Sequence, residues 1–177
     1  DEVEVKADKS RHASRYGKIQ EPDAFDDLIF NGNRLSTSAT VVRREIAQEL
    51  GGFSDNLDFN SAEDYEFWLR LAKRGANFYY LPVVLGEYNR IENSVSLRIE
   101  YHLANSFQVI RHHLNLMLKE ERYDNEMLRK KIDRLPSQQL FSTGRAFFIE
   151  KNYKESVRFY KKALQERIFW IKPYIGL

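Results

Sequence analysis

Residues 61–75 read S-A-E-D-Y-E-F-W-L-R-L-A-K-R-G, a helix whose start and stop are both written in the chain. Ser61 is a good N-cap, and Asp64 sits three residues on, as in a capping box. Tyr65, Trp68, Leu69 and Ala72 fall at helical spacing, and Gly75 ends the run. A helix so bounded places two acids, Glu63 and Asp64, in its first turn, where they complement the helix dipole. It is the best-defined element of the first half and fixes the reading of what flanks it.

The flanks are shorter and more broken. Val3 and Val5 alternate with charges and suggest one edge strand. The acids Asp23, Asp26 and Asp27 read as a helix start, and Asp55 and Asp58 as a surface turn. Leu35 to Val42 is rich in Ser, Thr and Val and suits a strand. Arg43 to Leu50 reads as a short helix that Gly51-Gly52 ends in the left-handed position. Phe78 to Leu81 and Val83 to Tyr88 read as two short strands broken at Pro82, and Arg90 to Ser94 as a loop.

From Leu97 the character changes. Leu97 to Lys119 carries a long apolar stripe (Leu103, Ile110, Leu114, Met117, Leu118) and reads as an amphipathic helix. Tyr123 to Leu135 reads as a second helix, stopped by Pro136. The boundary between the two parts falls near Leu97, giving regions 1–96 and 97–177. In residues 137–170, Leu140, Gly144, Ala146, Phe147, Tyr153, Ser156, Tyr160, Ala163 and Leu164 match the small and large positions of a tetratricopeptide helix pair, which this stretch resembles. It departs from that pattern at Thr143, Ser156 and Ile168. Gly144 and Ala146 let one helix approach the other, and Lys151-Asn152 makes the turn. One such pair cannot bury its own apolar faces, so it must pack on a neighbour.

Composition excludes several classes. Apolar residues are 42% of the 177 and aromatic residues 14%, which is enough for a core. The chain has no cysteine, so disulfides, thiolate metal sites and cysteine nucleophiles are absent. A net charge of +2 and a pI near 8.7 fall short of a dedicated nucleic-acid binder. His112 and His113 are adjacent and point about 100° apart on a helix, which is not a chelating i, i+4 pair.

The order of features over residues 33–96 is more specific than any one of them. Arg43-Arg44-Glu45 comes first, then Gly51-Gly52-Phe53 with an acid after it, then Glu63-Asp64, Trp68 and Arg70, then Leu81-Pro82 and Tyr88. This order resembles the acceptor half of a family 2 glycosyltransferase of the GT-A fold. The resemblance implies an α+β, mainly helical chain: a partial GT-A-like α/β segment with a few short strands, then a helical tail with a tetratricopeptide-like hairpin. It implies transfer of a sugar from a nucleotide-sugar to an acceptor hydroxyl with inversion, a reaction that needs a base at that hydroxyl. Asp64, preceded by Glu63, stands at the catalytic position. Asn33, the run Ser36 to Ser38, Trp68 and Arg70 would lie toward the acceptor. The family often has a His before the Ser-x-Ser at 94–96. This chain has Ile91 there, so Arg90 is left to face the diphosphate and no metal ligand is expected.

The resemblance also implies a nucleotide-binding half before Asp1, with a D-x-D element holding Mg or Mn, so the metal site is expected outside this chain and the chain alone is expected to be inactive. Expected partners are the nucleotide-sugar, a carbohydrate or lipid-linked acceptor, and a protein docked on the helical tail. A homodimer and peripheral contact with the inner face of a membrane, from the cytoplasm, are further expectations; nucleic acid is not one. The competing reading is a non-catalytic tetratricopeptide-like interaction module.

Overall fold

The computed structural model describes residues 2–5, 11–14, 19, 23–89, 98–120 and 123–166. The chain divides into two compact units, Asp1–Leu97 and Arg98–Leu177. Among the described residues the structure is mainly helical.

The first unit contains the strands β1 (Glu2–Val5), β2 (Arg11–Ser14) and β3 (Gly86–Asn89), with helices α1 (Ala24–Asn31), α2 (Arg44–Glu49) and α3 (Glu63–Lys73). The sheet order is β2-β1-β3. β1 pairs antiparallel with β2, with Val3 opposite Ala13, and parallel with β3, with Val3 opposite Glu87. The alternation at Val3 and Val5 therefore marks a central strand, not an edge.

The core of this unit is the packing of α1 on α3. Leu28, Ile29 and Phe25 from α1 meet Tyr65, Trp68, Leu69 and Ala72 from α3, all buried. The Tyr65 hydroxyl donates to the Leu28 carbonyl at 2.8 Å, and burial pushes the Tyr65 phenol well above its ordinary pKa. The bond satisfies a polar group that would otherwise be costly in the core.

Three further sequence expectations fail in this unit. Residues 35–42 do not form a strand; a 3-10 turn, Thr37–Ala39, interrupts them, and the Thr40 hydroxyl donates to the Ser36 carbonyl at 2.7 Å. Ser and Thr side chains here bond their own backbone, which competes with ladder formation. Residues 78–85 are irregular and only Gly86–Asn89 is a strand. Ser61 does not cap α3. It sits at φ 70°, whereas an N-cap needs extended backbone, and Ala62 takes that place without a side-chain bond. The capping box is absent, and the Asp64 carboxylate is left for other partners. The Gly51-Gly52 stop is present, with φ of 77° and 71°.

The second unit is built from α4 (Ile99–Met117), α5 (Asn125–Ile149) and α6 (Tyr153–Glu166). α5 packs against both α4 and α6, burying Val109, Leu114, Met117, Leu128 and Leu135, with Phe159, Tyr160 and Ala163. His113 is buried here, edge-on to His112 at 5.4 Å. Pro136 does not end a helix; it lies inside α5. It cannot donate to the carbonyl one turn back, a cost of about 3 kcal/mol, and burial on both sides of α5 outweighs it.

α5 and α6 form a close hairpin turned at Lys151, φ 60°. Phe147 stacks on Phe159 at 5.6 Å, and Phe141 meets Tyr160 at 5.3 Å. The closest approach is at Gly144, where an added Cβ would lie 3.0 Å from Tyr160 Cδ1 and 3.2 Å from the Ser156 carbonyl. Gly144→Leu should lower stability by about 2 kcal/mol, since the Ser156 backbone cannot swing aside as a side chain can. Urea unfolding measures this, and unchanged stability would mean the helices part freely.

Candidate active site

Glu63 and Asp64 open α3, and Glu66 completes its first turn. Three acids in a first turn complement the helix dipole, so position alone gives them no further role. Their surroundings are more specific. Asp64 Oδ1 accepts from the Tyr65 N–H at 2.6 Å, and Oδ2 accepts from the Thr37 hydroxyl at 2.7 Å. These two bonds fix the carboxylate and leave part of its accepting capacity open. Glu63 Oε2 is walled off from water and has no hydrogen-bond partner among the described residues. A carboxylate oxygen left in that state is costly.

The turn that carries Thr37 also lines a cleft of about 790 Å³. Ser36 and Ser38, on either side of Thr37, lie in its wall, with their hydroxyls 2.8 Å apart. Trp68 and Arg34 line it as well, and Tyr79 and Tyr80 close another side. Trp68 is 2% exposed, and neither its Nε1–H nor the Arg34 Nε–H has an acceptor among the described residues. The charge of Arg34 is held by buried Asp27, whose carboxylate also accepts from Asn31 at 2.8 Å. The cleft wall thus holds hydroxyls and aromatic rings, a mixture suited to a neutral ligand rich in hydroxyl groups.

The other residues singled out from sequence divide. Ser38 and Trp68 are in the cleft. Asn33 is at the surface, with its Oδ1 accepting from the Leu35 N–H at 2.9 Å. Arg70 lies elsewhere, its guanidinium already engaged. Its Nε donates to both oxygens of Glu66 at 2.8 and 2.9 Å, its Nη1 to the Leu50 carbonyl at 2.5 Å and its Nη2 to the Gly52 carbonyl at 2.7 Å. Those carbonyls end α2, where a helix leaves acceptors without intrahelical partners, so Arg70 ties α2 to α3. Arg90 lies outside the described residues. Among the described residues no group of three or more His, Asp or Glu side chains comes together as a metal site.

Sequence reasoning missed Thr37 as the partner of Asp64 and Arg34 as part of the cleft. Thr37 lies 27 residues from Asp64, and no periodicity links them; the hydroxyl run 36–38 ahead of the helix is the sole local signal. A family described as "Glycosyl transferase family group 2" matches residues 8–132. The match runs through α4 into the start of α5, past the sequence boundary near Leu97. No curated protein and no solved structure matches the chain.

Proposed function

Because this chain belongs to glycosyl transferase family group 2, we propose that it forms the acceptor side of an enzyme that moves a sugar from a nucleotide-sugar to a hydroxyl, with Asp64 as the general base. The observation that carries the reading is the fixed Asp64 carboxylate, held by Thr37 on the same turn whose serines line the cleft.

In this reading the acceptor lies along the cleft. The hydroxyls of Ser36 and Ser38 meet its oxygens, and the rings of Tyr79 and Tyr80 offer it apolar faces. Asp64 takes the proton of the attacking hydroxyl as that oxygen bonds to the anomeric carbon and the nucleotide diphosphate leaves. One carboxylate suffices for inversion, because the attack and the departure occur on opposite faces in a single displacement. Donor binding, the diphosphate contact at Arg90 and a divalent metal on a D-x-D element belong to the rest of this reading and rest on the family resemblance. A metal would neutralise charge on the leaving diphosphate.

The test is transfer itself. Whole enzyme, incubated with labelled nucleotide-sugars and hydroxyl acceptors, should release nucleotide diphosphate in an acceptor-dependent way. Failure of every donor to yield acceptor-linked sugar would overturn the proposal. Thr37→Val, which keeps size but removes the donor to Asp64, should lower turnover by about tenfold and leave the melting temperature nearly unchanged. Turnover equal to wild type would show that the Thr37 bond does not position the base.

A further inference from the structure

The tip of the α5–α6 hairpin is apolar where it meets water. Phe148 is 55% exposed, Ile149 66%, Tyr153 57% and Val157 40%. The Phe148 and Tyr153 rings meet edge to face at 5.7 Å, which joins the end of α5 to the start of α6 in one patch. Arg145, Lys151, Lys154 and Lys161 are exposed around it and make no ion pair among the described residues. Of the two acids nearby, Glu155 is taken by Arg158 at 2.8 Å and the exposed Glu150 is itself engaged, which leaves the cations in excess at the tip.

The shape of the patch restricts its occupant. On α6 the apolar row Tyr153, Val157 continues at the next turn as Lys161. A partner helix lying along α6 would need that row to stay apolar, so the patch meets its occupant end-on. The ring of cations calls for negative charge at the occupant's surface, and the exposed aromatic and aliphatic side chains call for an apolar layer just beneath. A bilayer with anionic headgroups has both, in that order. We propose that the hairpin tip docks on an anionic lipid surface, with Phe148 and Ile149 entering the headgroup boundary and the four cations against the headgroups. The contact is peripheral: no helix among the described residues is long and apolar enough to cross a membrane. The inference rests on the hairpin alone and stands apart from the assignment of Asp64.

The experiment is vesicle flotation of the full chain. It should float with vesicles of mixed phosphatidylcholine and phosphatidylglycerol, stay behind with phosphatidylcholine alone, and bind less as salt rises. Lys151→Glu with Lys154→Glu, and separately Ile149→Glu, should each weaken binding by about tenfold or more. All three positions are exposed, and circular dichroism confirms that the variants fold. Wild-type protein that stays behind with anionic vesicles, or variants that float as well as wild type, would overturn the proposal. So would wild-type self-association in sedimentation without lipid that the tip variants abolish, which would give the patch to a second copy.

Discussion

Asp64→Asn is expected to lower turnover of the whole enzyme by about 10²–10⁴ while leaving nucleotide-sugar affinity nearly unchanged. The amide has the size of the carboxylate, and its one oxygen can still accept from the Thr37 hydroxyl, which holds the turn at 36–38, while the bond from the Tyr65 N–H at the other oxygen is lost. What it loses is the ability to take a proton. The attacking hydroxyl then has to carry its proton into the transition state or give it to water, and each decade of lost rate corresponds to about 1.4 kcal/mol of barrier. Turnover and donor affinity measured on the same preparation separate the two effects. A fall in affinity with turnover intact would assign Asp64 to binding.

Arg70→Ala is expected to cost about 3 kcal/mol of stability. Three acceptors lose the Arg70 donor at once: the Glu66 carboxylate and the carbonyls of Leu50 and Gly52. Glu66 is 4% exposed, so its charge is left in a site water barely reaches. The guanidinium also stands 5.3 Å from the Phe67 ring centroid, a contact alanine cannot replace. Arg70→Lys should recover only a minor part, because one ammonium cannot match a planar fork that reaches a carboxylate and two carbonyls. Thermal unfolding should show a drop on the order of 10 °C for Arg70→Ala. A melting temperature within a degree or two of wild type would mean α2 is held by other contacts, such as Phe53 on Phe67 at 5.2 Å.

The helices were legible wherever one face was apolar and the stop was a glycine. α3 and its position between Ser61 and Gly75 followed from the spacing of Tyr65, Trp68, Leu69 and Ala72, and the end of α2 from Gly51-Gly52. The misreadings share a cause: local preference was overridden by partners distant in sequence. Ser61 looks like a cap, yet its left-handed backbone moves the helix start to Ala62. Pro136 looks like a stop, yet α5 runs through it because Leu128 and Leu135 before it and Thr143 and Gly144 after it are all buried. Residues 35–42 have β-branched composition, a preference that depends on having a strand to pair with, and here their hydroxyls turn to their own backbone and to Asp64.

The site was legible to the same degree. Glu63 and Asp64 stand out as candidates because they lie in an ordered run of features, and Trp68, on the same helix, lines the cleft. Arg70 was drawn toward the acceptor by that same run, whereas its carbonyl partners come from the end of α2, which no spacing on α3 reveals. Thr37 and Arg34 come from segments whose paths could not be read from periodicity.

The measurement that bears most directly on the account is time-resolved proton NMR of the transfer reaction, run in parallel on the wild-type whole enzyme and on Asp64→Asn with the same donor and acceptor. The account predicts a wild-type product whose anomeric configuration is inverted relative to the donor, and almost no product from the variant over the same period. Product formed at equal rates by both proteins, or a product that retains the donor configuration, would contradict a single displacement with Asp64 as its base.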